Sequence, residues 1–208
     1  MPERGVYDRD AIDAVLDAGL VAHLGFVQDG QPFVVPTLHA RIEDRVYVHG
    51  SAASRTLRAL GTGIPACLTV TLLDGIVLAR SVFEHSMNYR SAIVLGTAVP
   101  VDGPDEKRMA LEVFTEKLLP GRWAEAREPT AKELKATSVL SLPLDEASAK
   151  IRDGGPDDGD TPDAALDVWA GHLPLVVQAL DPVADPTLRS GIPVPPGLQP
   201  YRRPGLVP

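Results

Sequence analysis

The sequence is poor in cysteine and in positive charge, and each shortage argues against a class of function. The single cysteine, Cys67, cannot form an intramolecular disulfide and fits a reducing compartment. Because Cys67 lies in an apolar run, we expect a buried and inert thiol. The 28 acidic residues outnumber the 20 basic ones, which gives a net charge of −8. This charge argues against nucleic acid as the main partner, since neutralising phosphates requires a basic surface.

Long hydrophobic runs are also missing. None approaches the roughly 20 residues that span a bilayer. The charged N-terminus, MPERGVYDRD, predicts no signal peptide. We therefore expect a cytoplasmic protein with no membrane partner. The 44% of hydrophobic residues still suffices for a core, and 208 residues fit one domain with appendages.

The sequence has no cluster of metal ligands. A zinc site normally needs His or Cys residues close together, and there is one cysteine. Four histidines are spread along the chain without a metal-binding spacing: His23, His39, His85 and His172. We therefore expect no metal site.

The first part of the chain predicts a helix followed by three strands. Asp8 can cap a helix that runs to Ala18 and ends at Gly19. The dipeptide Asp29-Gly30 is typical of a tight hairpin between two alternating strands. Pro36, in the second of these strands, indicates a sheet edge or a bulge. The third strand follows over residues 45–49.

A second hairpin is predicted in the middle of the chain. Residues 66–73 alternate, and Asp74-Gly75 would turn the chain into a strand over 76–80. With a two-residue turn, Arg80 would lie opposite Thr69 on one face of the sheet.

The remaining pattern indicates a mostly antiparallel β fold. It predicts a loop or broken helical turn over 81–88, a strand over 89–101, a helix from Pro104 to about Leu119, a capping box at Thr130 and Glu133, and a strand over 139–144. Helices do not alternate with long apolar strands, so a doubly wound fold is not favoured. A small Greek-key-like barrel with peripheral helices fits best.

Composition divides the chain into three parts. Residues 1–152 are expected to form the barrel domain. Residues 153–168 are acidic and rich in Gly and Pro, which predicts a linker or loop. Residues 169–208 are expected to form a covering segment and a proline-rich tail.

The stretch VYVHGSAASRTLRAL, residues 46–60, is a candidate anion site. A strand breaks at Gly50, and we expect a helix to begin with Ser51 as its N-cap. Unpaired N–H groups and the helix dipole favour negative charge there, and Arg55 would rise from the same side. We interpret this corner as a phosphate site. The alternative is a solvated Arg55 that pairs with a nearby acid.

Three stretches together carry a family resemblance: VYVHGSAASRTLRAL, CLTVTLLDGIVLARS and HSMNYRSAIVLG. They resemble the pyridoxamine-phosphate-oxidase-like family of flavin-binding split barrels, and within it the flavin-nucleotide-binding proteins related to nitroimidazole-resistance proteins. The likeness runs from Tyr7 to Arg152, and WAGHLPL fits the C-terminal segment of that branch. It implies a six-stranded split barrel, an obligate homodimer and FMN at the dimer interface.

The resemblance also implies which residues meet the flavin. Ser51, Arg55 and two strand threonines would hold the phosphate, while the HSMNYRS segment would lie by the ring. The implied cofactor-binding residues are His49, Gly50, Ser51, Arg55, Thr69, Thr71, Asn88, Tyr89, Arg90, Ser91 and Trp169. The threonines could instead be solvent-facing strand residues, and Trp169 an ordinary interface aromatic. Tyr89 and Arg90 alternate, so both can meet one ligand only at a bulge or across the dimer.

His49 is the candidate catalytic residue. The resemblance implies a histidine near the flavin at this position, where it could donate a hydrogen bond or relay a proton. The alternative is a ring that satisfies a backbone carbonyl at the end of a strand. No catalytic acid is identified beyond this candidate.

The leading functional hypothesis is a flavin-dependent oxidoreductase or flavin carrier that acts on a small molecule. FMN would supply the redox chemistry, and the protein would supply orientation and electrostatics. One alternative keeps the fold but binds a deazaflavin coenzyme or haem. Another is a flavin-binding dimer that senses its ligand without turnover.

Overall fold

The computed structural model of the chain describes residues 5–198 and residue 201. Most of its regular elements are β-strands. The strands within these residues are β1 (Gly5–Val6), β2 (Val21–Gln28), β3 (Gln31–Ile42), β4 (Arg45–Ser51), β5 (Pro65–Leu78), β6 (Ser86–Thr97), β7 (Val99–Pro100), β8 (Thr137–Pro143), β9 (Glu146–Arg152) and β10 (Gly171–Pro174). The helices are α1 (Arg9–Ala18), α2 (Arg55–Leu60), α3 (Pro104–Leu118), α4 (Arg122–Glu125) and α5 (Ala131–Ala136). Short 3₁₀ turns cover Val82–Glu84 and Pro162–Ala165.

The strands form one bent antiparallel sheet. Their order is β1-β9-β6-β5-β2-β3-β4-β8-β7, and β10 pairs with β5 beside this path. The long strand β3 serves both halves, since residues 31–38 pair with β2 and residues 39–42 pair with β4. In the described residues β1 and β7 do not pair, so the sheet stays open. The predicted split β-barrel is confirmed, with ten described strands where the resemblance implied six.

Helix α1 packs into the main core, as its sequence predicts. Asp8 caps it by accepting a hydrogen bond from the Ala11 backbone N–H at 3.1 Å. The apolar stripe of Ile12, Val15 and Leu16 is buried among the inward side chains of the strands. Local signals suffice here because the cap and the stripe agree with each other.

The first hairpin is also confirmed. Asp29 and Gly30 have φ values of 52° and 76°, the left-handed conformation that a two-residue hairpin turn needs. Pro36 lies opposite His23 of β2. The part of β3 that contains Pro36 has β2 as its one partner strand, so the predicted sheet edge is confirmed.

The second predicted hairpin is wrong. Strand β5 continues through Asp74 and Gly75, with a bulge where its register against β6 shifts between Leu73 and Gly75. Gly75 does not adopt the positive φ of a tight hairpin turn. Arg90 of β6 instead binds the Asp74 carboxylate through Nε at 2.9 Å and Nη2 at 2.8 Å. This pair holds the bulged residue against the neighbouring strand.

As a result, Arg80 does not lie opposite Thr69. The partners of Thr69 are His23 on β2 and Ile93 on β6. Arg80 lies beyond the end of β5 and pairs with Asp158 at 2.8 Å. The prediction failed because it placed the turn at a bulge in a continuous strand.

Strands β1 and β9 lie outside the sequence prediction, whereas β10 lies within residues 169–180, which the sequence predicts as a further strand or covering segment. Strand β9 pairs with β6 along its whole length, and β10 pairs with residues 75–78 of β5. The sequence EASAKIR of β9 has few β-branched or aromatic residues, so its propensity gives little signal. Strand β10 lies within the predicted covering segment that starts at Trp169.

Helix α3 covers the other side of β3 and β4 and forms a second apolar cluster. Ala110 and Phe114 of the helix pack against Ala40 and Tyr47. The Tyr47 hydroxyl donates to Glu106 Oε1 at 3.0 Å. Burial and this hydrogen bond raise the pKa of Tyr47 to about 12. No described helix combines the length and apolarity needed to cross a bilayer.

Gly19 allows the close approach of α1 to the sheet, and its substitution should destabilise the protein. An alanine Cβ there would lie 2.1 Å from Val70 Cγ1, a buried core atom. We expect Gly19→Ala to cost roughly 1–3 kcal/mol, as overpacking of a core does. Thermal unfolding should show a lower Tm. Gly159→Ala is the matched control because nothing lies within 4 Å of its Cβ position. Equal Tm values for the two variants would contradict this packing.

Candidate functional site

The corner between β4 and α2 has a different cap from the predicted one. Ser54, not Ser51, is the N-cap of α2, and its hydroxyl accepts from the Leu57 N–H at 3.4 Å. Ser51 ends β4 and accepts from the Ala53 N–H at 3.2 Å. The predicted helix start was therefore wrong, because a turn separates the strand from the helix. With six residues α2 has a weak dipole, so the predicted anion would have to be held mainly by side chains.

Gly50 lets α2 pack closely on β4. A Cβ at this position would lie 3.0 Å from Leu57 Cδ1. Leu57 is buried in the main core, so the contact anchors the helix. The glycine thus fixes where the first turn of α2, including Arg55, stands relative to the strand.

Arg55 is an exposed cation that has no acidic partner among residues 5–198. Its Cζ lies 5.3 Å from the centroid of the Phe33 ring, which stacks on Phe26. Within the described residues its guanidinium forms no hydrogen bond or ion pair. The alternative in which Arg55 pairs with a nearby acid is therefore not observed. The guanidinium is available for an anionic ligand.

Thr69, Thr71 and Ser91 lie on the side of the sheet that faces away from the main core, which we call the outer face. Thr71 lies directly opposite Ser91, and Thr69 lies between His23 and Ile93. Directly opposed residues in an antiparallel sheet point to the same side. The structure therefore brings both threonines and Ser91 together with His23, which the sequence prediction did not include. His23 lies beside Thr69 because β2 pairs with β5, and the local sequence does not reveal this pairing.

His49 lies on the face of β4 that α3 covers. Its ring centroid is 4.3 Å from that of Phe114, whereas the preceding Val48 points into the main core. His49 Nδ1 is buried, with no hydrogen-bond partner in the described residues. Burial lowers the pKa of this histidine. The alternative in which Nδ1 satisfies a backbone carbonyl is not observed, and contact with a flavin stays a prediction.

The Asn88 side chain is buried and forms its hydrogen bonds within the protein. Its Nδ2 donates to the Gly154 carbonyl at 3.0 Å, and its Oδ1 accepts from Arg152 Nη1 at 2.7 Å. Arg152 Nη2 also donates to the Gly155 carbonyl at 3.0 Å. Asn88 and Arg152 thus join β6, β9 and the start of the acidic segment. A flavin contact from the buried Asn88 amide stays a prediction.

Tyr89 and Arg90 lie on opposite sides of β6. The Tyr89 ring centroid is 6.0 Å from Lys150 Nζ. The Arg90 guanidinium is held by two hydrogen bonds to Asp74. The bulge lies in β5 rather than in β6. It therefore does not bring the Tyr89 and Arg90 side chains to one side of the sheet.

Trp169 stands at the start of the covering segment. Its side chain is 67% exposed and lies close to Gly171, where a Cβ would be 2.9 Å from the indole Cη2. Gly171 begins β10, so the ring sits near the outer end of the sheet. This exposure leaves both predictions for Trp169 open, a flavin contact and an interface contact.

The acidic segment is attached to the sheet by an ion pair between the buried Asp158 and the partly exposed Arg80. Asp158 accepts from the Arg80 backbone N–H at 2.6 Å and from Arg80 Nη1 at 2.8 Å. Burial alone raises the pKa of Asp158, but the hydrogen bonds and charge of Arg80 bring it below its usual value. The assignment of residues 153–168 as a linker or loop stays a prediction.

A shallow groove of about 310 Å³ borders the outer face. Ile93 and Leu95 of β6 form one side of it, and residues 145–148 form the other. Both apolar side chains are exposed, in the row that contains Thr69 and Cys67. The outer face therefore combines hydroxyl groups with uncovered apolar surface.

A comparison with protein families identifies the fold family. The model of the pyridoxamine 5'-phosphate oxidase family matches residues 8–151. The chain belongs to this family. The match covers α1 and all strands from β2 to β9, which include most of the predicted site residues. In this member of the pyridoxamine 5'-phosphate oxidase family, β10 and the C-terminal residues lie outside the matched region.

Two solved structures are similar over nearly the whole chain. The flavocytochrome Anf3 from Azotobacter vinelandii is 42% identical, with 96% of this chain and 92% of that chain covered and a TM-score of 0.90. The FAD and haem binding protein from Mycobacterium smegmatis is 41% identical, with coverage of 95% and 96% and a TM-score of 0.89. Coverage of at least 95% of this chain takes both similarities well beyond residue 151, where the family match ends.

A third structure supports the fold alone. The 5-nitroimidazole antibiotic resistance protein from Bacteroides thetaiotaomicron is 19% identical, with coverage of 71% and 86% and a TM-score of 0.56. This agrees with the predicted likeness to that branch of split barrels. No curated protein matches the chain.

The half-buried ring of His49, with its buried Nδ1, should make stability depend on pH. Because burial lowers its pKa, the unfolded chain takes up a proton first as the pH falls. The contribution of His49 to the free energy of unfolding is thus fully present above the pKa of about 6.5 in the unfolded chain. It is lost as the pH falls towards the lower pKa of the folded state. His49→Leu should remove this loss, so its Tm should fall less than that of the wild type between pH 7 and pH 5. His172→Leu, at an exposed position, should follow the wild type. Parallel Tm profiles for wild type and His49→Leu would contradict the assignment.

Proposed function

We propose that this chain is a redox protein that binds both a flavin and haem. The similarity to a flavocytochrome and to an FAD and haem binding protein, each above 40% identity and over at least 95% of this chain, carries the proposal. A bound flavin supplies hydride or single-electron chemistry. The chain itself binds and orients the group and excludes water from it.

Arg55 is the proposed main contact of the flavin phosphate. It is an exposed guanidinium, it pairs with no acid in the part of the chain that the structure describes, and it lies over Phe33 at the edge of the core. A guanidinium can donate two parallel hydrogen bonds to a phosphate, which makes the contact strong and directional. Thr69, Thr71 and Ser91 offer hydroxyl groups on one face of neighbouring strands. These groups support a polar contact of the phosphate or ribityl chain with this face.

The sequence predicts FMN, and FAD is the form we propose. The support is the protein from Mycobacterium smegmatis, which binds FAD and haem. Both forms share the isoalloxazine ring and the phosphate next to the ribityl chain, so the role proposed for Arg55 is the same. A deazaflavin coenzyme remains the alternative ligand for this site.

We further propose that two copies of the chain enclose the flavin between them. Ile93 and Leu95 are exposed on the outer face beside the hydroxyl groups. An isoalloxazine ring on one open sheet face would remain in contact with water, whereas cofactor sites bury most of the ligand surface. A second copy would cover both the ring and these apolar side chains. This arrangement agrees with the homodimer that the family resemblance implies.

The absorbance spectrum of the purified full chain tests the proposed function. We expect flavin bands near a haem Soret band, FAD as the flavin released on denaturation, and reduction of the haem when the flavin is reduced. Released FMN would correct the flavin form. A chain that holds tightly bound flavin but passes electrons to no acceptor would favour a sensing dimer instead. A colourless chain that takes up neither added FAD nor hemin would overturn the proposal.

Arg55→Ala should weaken flavin binding. Loss of a charged hydrogen-bond donor to phosphate should cost roughly 1.5–3 kcal/mol, or about ten- to a hundredfold in Kd. Titration of the flavin-free chain with FAD, followed by fluorescence quenching, measures the change. Arg58→Ala is the matched control, since Arg58 is exposed one turn further along the same helix. Equal Kd values for the two variants would exclude Arg55 as the phosphate contact.

A charge on the outer face should separate the two copies and release the flavin. Ile93→Lys places an ammonium group at a position that is 41% exposed in the single chain and buried in the proposed dimer. We expect light scattering to give the mass of one chain and the flavin content to fall. Met109→Lys, at a 42% exposed position on α3, should remain dimeric with flavin bound. A dimeric Ile93→Lys protein that retains flavin would rule out this face.

A further inference from the structure

The His85 ring is oriented by a backbone carbonyl. His85 Nδ1 lies 2.9 Å from the carbonyl oxygen of Ser81. A carbonyl accepts hydrogen bonds and cannot donate them, so Nδ1 carries the proton and Nε2 has the free lone pair in the neutral ring. Nε2 has no hydrogen-bond partner in the described residues, and the side chain is exposed. Histidines that bind metals are commonly held in this way, with the second nitrogen bonded to a carbonyl.

An uncovered apolar surface includes Met87, close to His85 in the sequence. Ile76 of β5 lies between Met87 of β6 and Leu173 of β10, so these three side chains share one side of the sheet. Leu78 follows two residues after Ile76 on the same side and is also exposed. His85 comes directly before β6 and is two residues from Met87 along the chain. We call Ile76, Leu78, Met87 and Leu173 the β10 patch.

The turn beside His85 adds to this surface. Val82 is 91% exposed and Phe83 is 88% exposed. Apolar side chains uncovered to this degree on adjoining elements mark a binding surface rather than ordinary surface. The surface needs an apolar occupant, and the free Nε2 indicates an occupant that takes a single nitrogen ligand. A bare metal ion does not fit, since no group of three metal-ligating side chains occurs among the described residues.

Haem meets both requirements, with an apolar ring and an iron that accepts an axial histidine. We propose that His85 Nε2 is an axial ligand of the haem and that the porphyrin lies against the β10 patch. This inference rests on the proposed function, from which it takes haem as the occupant. The orientation of the histidine and the apolar surface are features of this chain.

The other histidines are less suitable. His39 is fully buried, and its Nε2 lies 2.9 Å from the Leu16 carbonyl. His49 packs beneath α3 against Phe114. His23 lies beside Thr69 in the row proposed for the flavin. His172 lies opposite Val77, on the side of the sheet away from Leu173.

His85→Ala tests the ligand. The full-length wild type and the variant are loaded with hemin, and the haem per chain, the Soret band and the electron spin resonance of the ferric iron are measured. Loss of even a supporting partner of a metal-bound histidine costs roughly tenfold or more, so we expect at least that loss of hemin affinity. Added imidazole should restore the wild-type spectrum by filling the vacated position. The FAD content should stay unchanged, which shows that the variant is folded.

The control His172→Ala separates the possible outcomes. It should keep the wild-type hemin spectrum. A wild type that binds no hemin would remove haem from the proposed function. A wild type that binds hemin while His85→Ala shows the same affinity and spectrum would overturn the ligand assignment alone, and a spectral change in His172→Ala would transfer the role to that residue.

A second variant tests the surface independently of the ligand. Leu173→Glu places a carboxylate at a 55% exposed position in the β10 patch and should lower hemin affinity without abolishing the axial-histidine spectrum at saturation. Leu188→Glu, at a 47% exposed position outside the patch, is the matched control. Equal hemin affinity in both variants would show that the porphyrin does not lie on the β10 patch.

Discussion

The carboxylate of Asp74 holds the bulge in β5, on which the arrangement of the outer face depends. Arg90 binds it with two hydrogen bonds, and the Asp74 carbonyl accepts from the Leu175 N–H at 2.9 Å. Before the bulge the even-numbered residues of β5 face the core, as the buried Leu72 does. After it the odd-numbered residues do, as Val77 shows. The bulge therefore turns Ile76 and its apolar neighbours outwards and creates an uncovered surface beyond the hydroxyl row.

The features predicted correctly from the sequence are those that neighbouring residues decide. The Asp8 cap and the Asp29-Gly30 turn need only their own few residues, and the Thr130 capping box likewise forms as predicted. Asp74-Gly75 has the same local signature as the first turn. It forms a bulge because Arg90, 16 residues further on, binds Asp74. A side-chain interaction across strands outweighs the turn preference, and the dipeptide itself gives no sign of it.

The candidate site also contains residues whose placement could be predicted from neighbouring residues and others whose placement could not. Alternation places Thr69 and Thr71 on one face without knowledge of the fold, and the structure adds Ser91 beside them. The motif HSMNYRS contains residues of different kinds. Asn88 and Arg90 are hydrogen-bonded within the protein, whereas His85 is exposed and the Tyr89 ring is half-buried beside Lys150. A motif read from sequence combines such residues, because partners such as Asp74 and Gly154 lie far along the chain.

Arg80 and Asp158 are 78 residues apart, and β10 follows later still. A chain that emerges from the ribosome can pair β2, β3, β5 and β6 long before these contacts are possible. During that interval the far end of β5 has an open edge with Ile76 and Leu78 beside it. Open apolar edges pair readily with other chains. Pairing with β10 closes this edge only when the C-terminal segment has been made, and the ion pair between Arg80 and Asp158 holds residues before β10 close to the end of the strand that β10 covers.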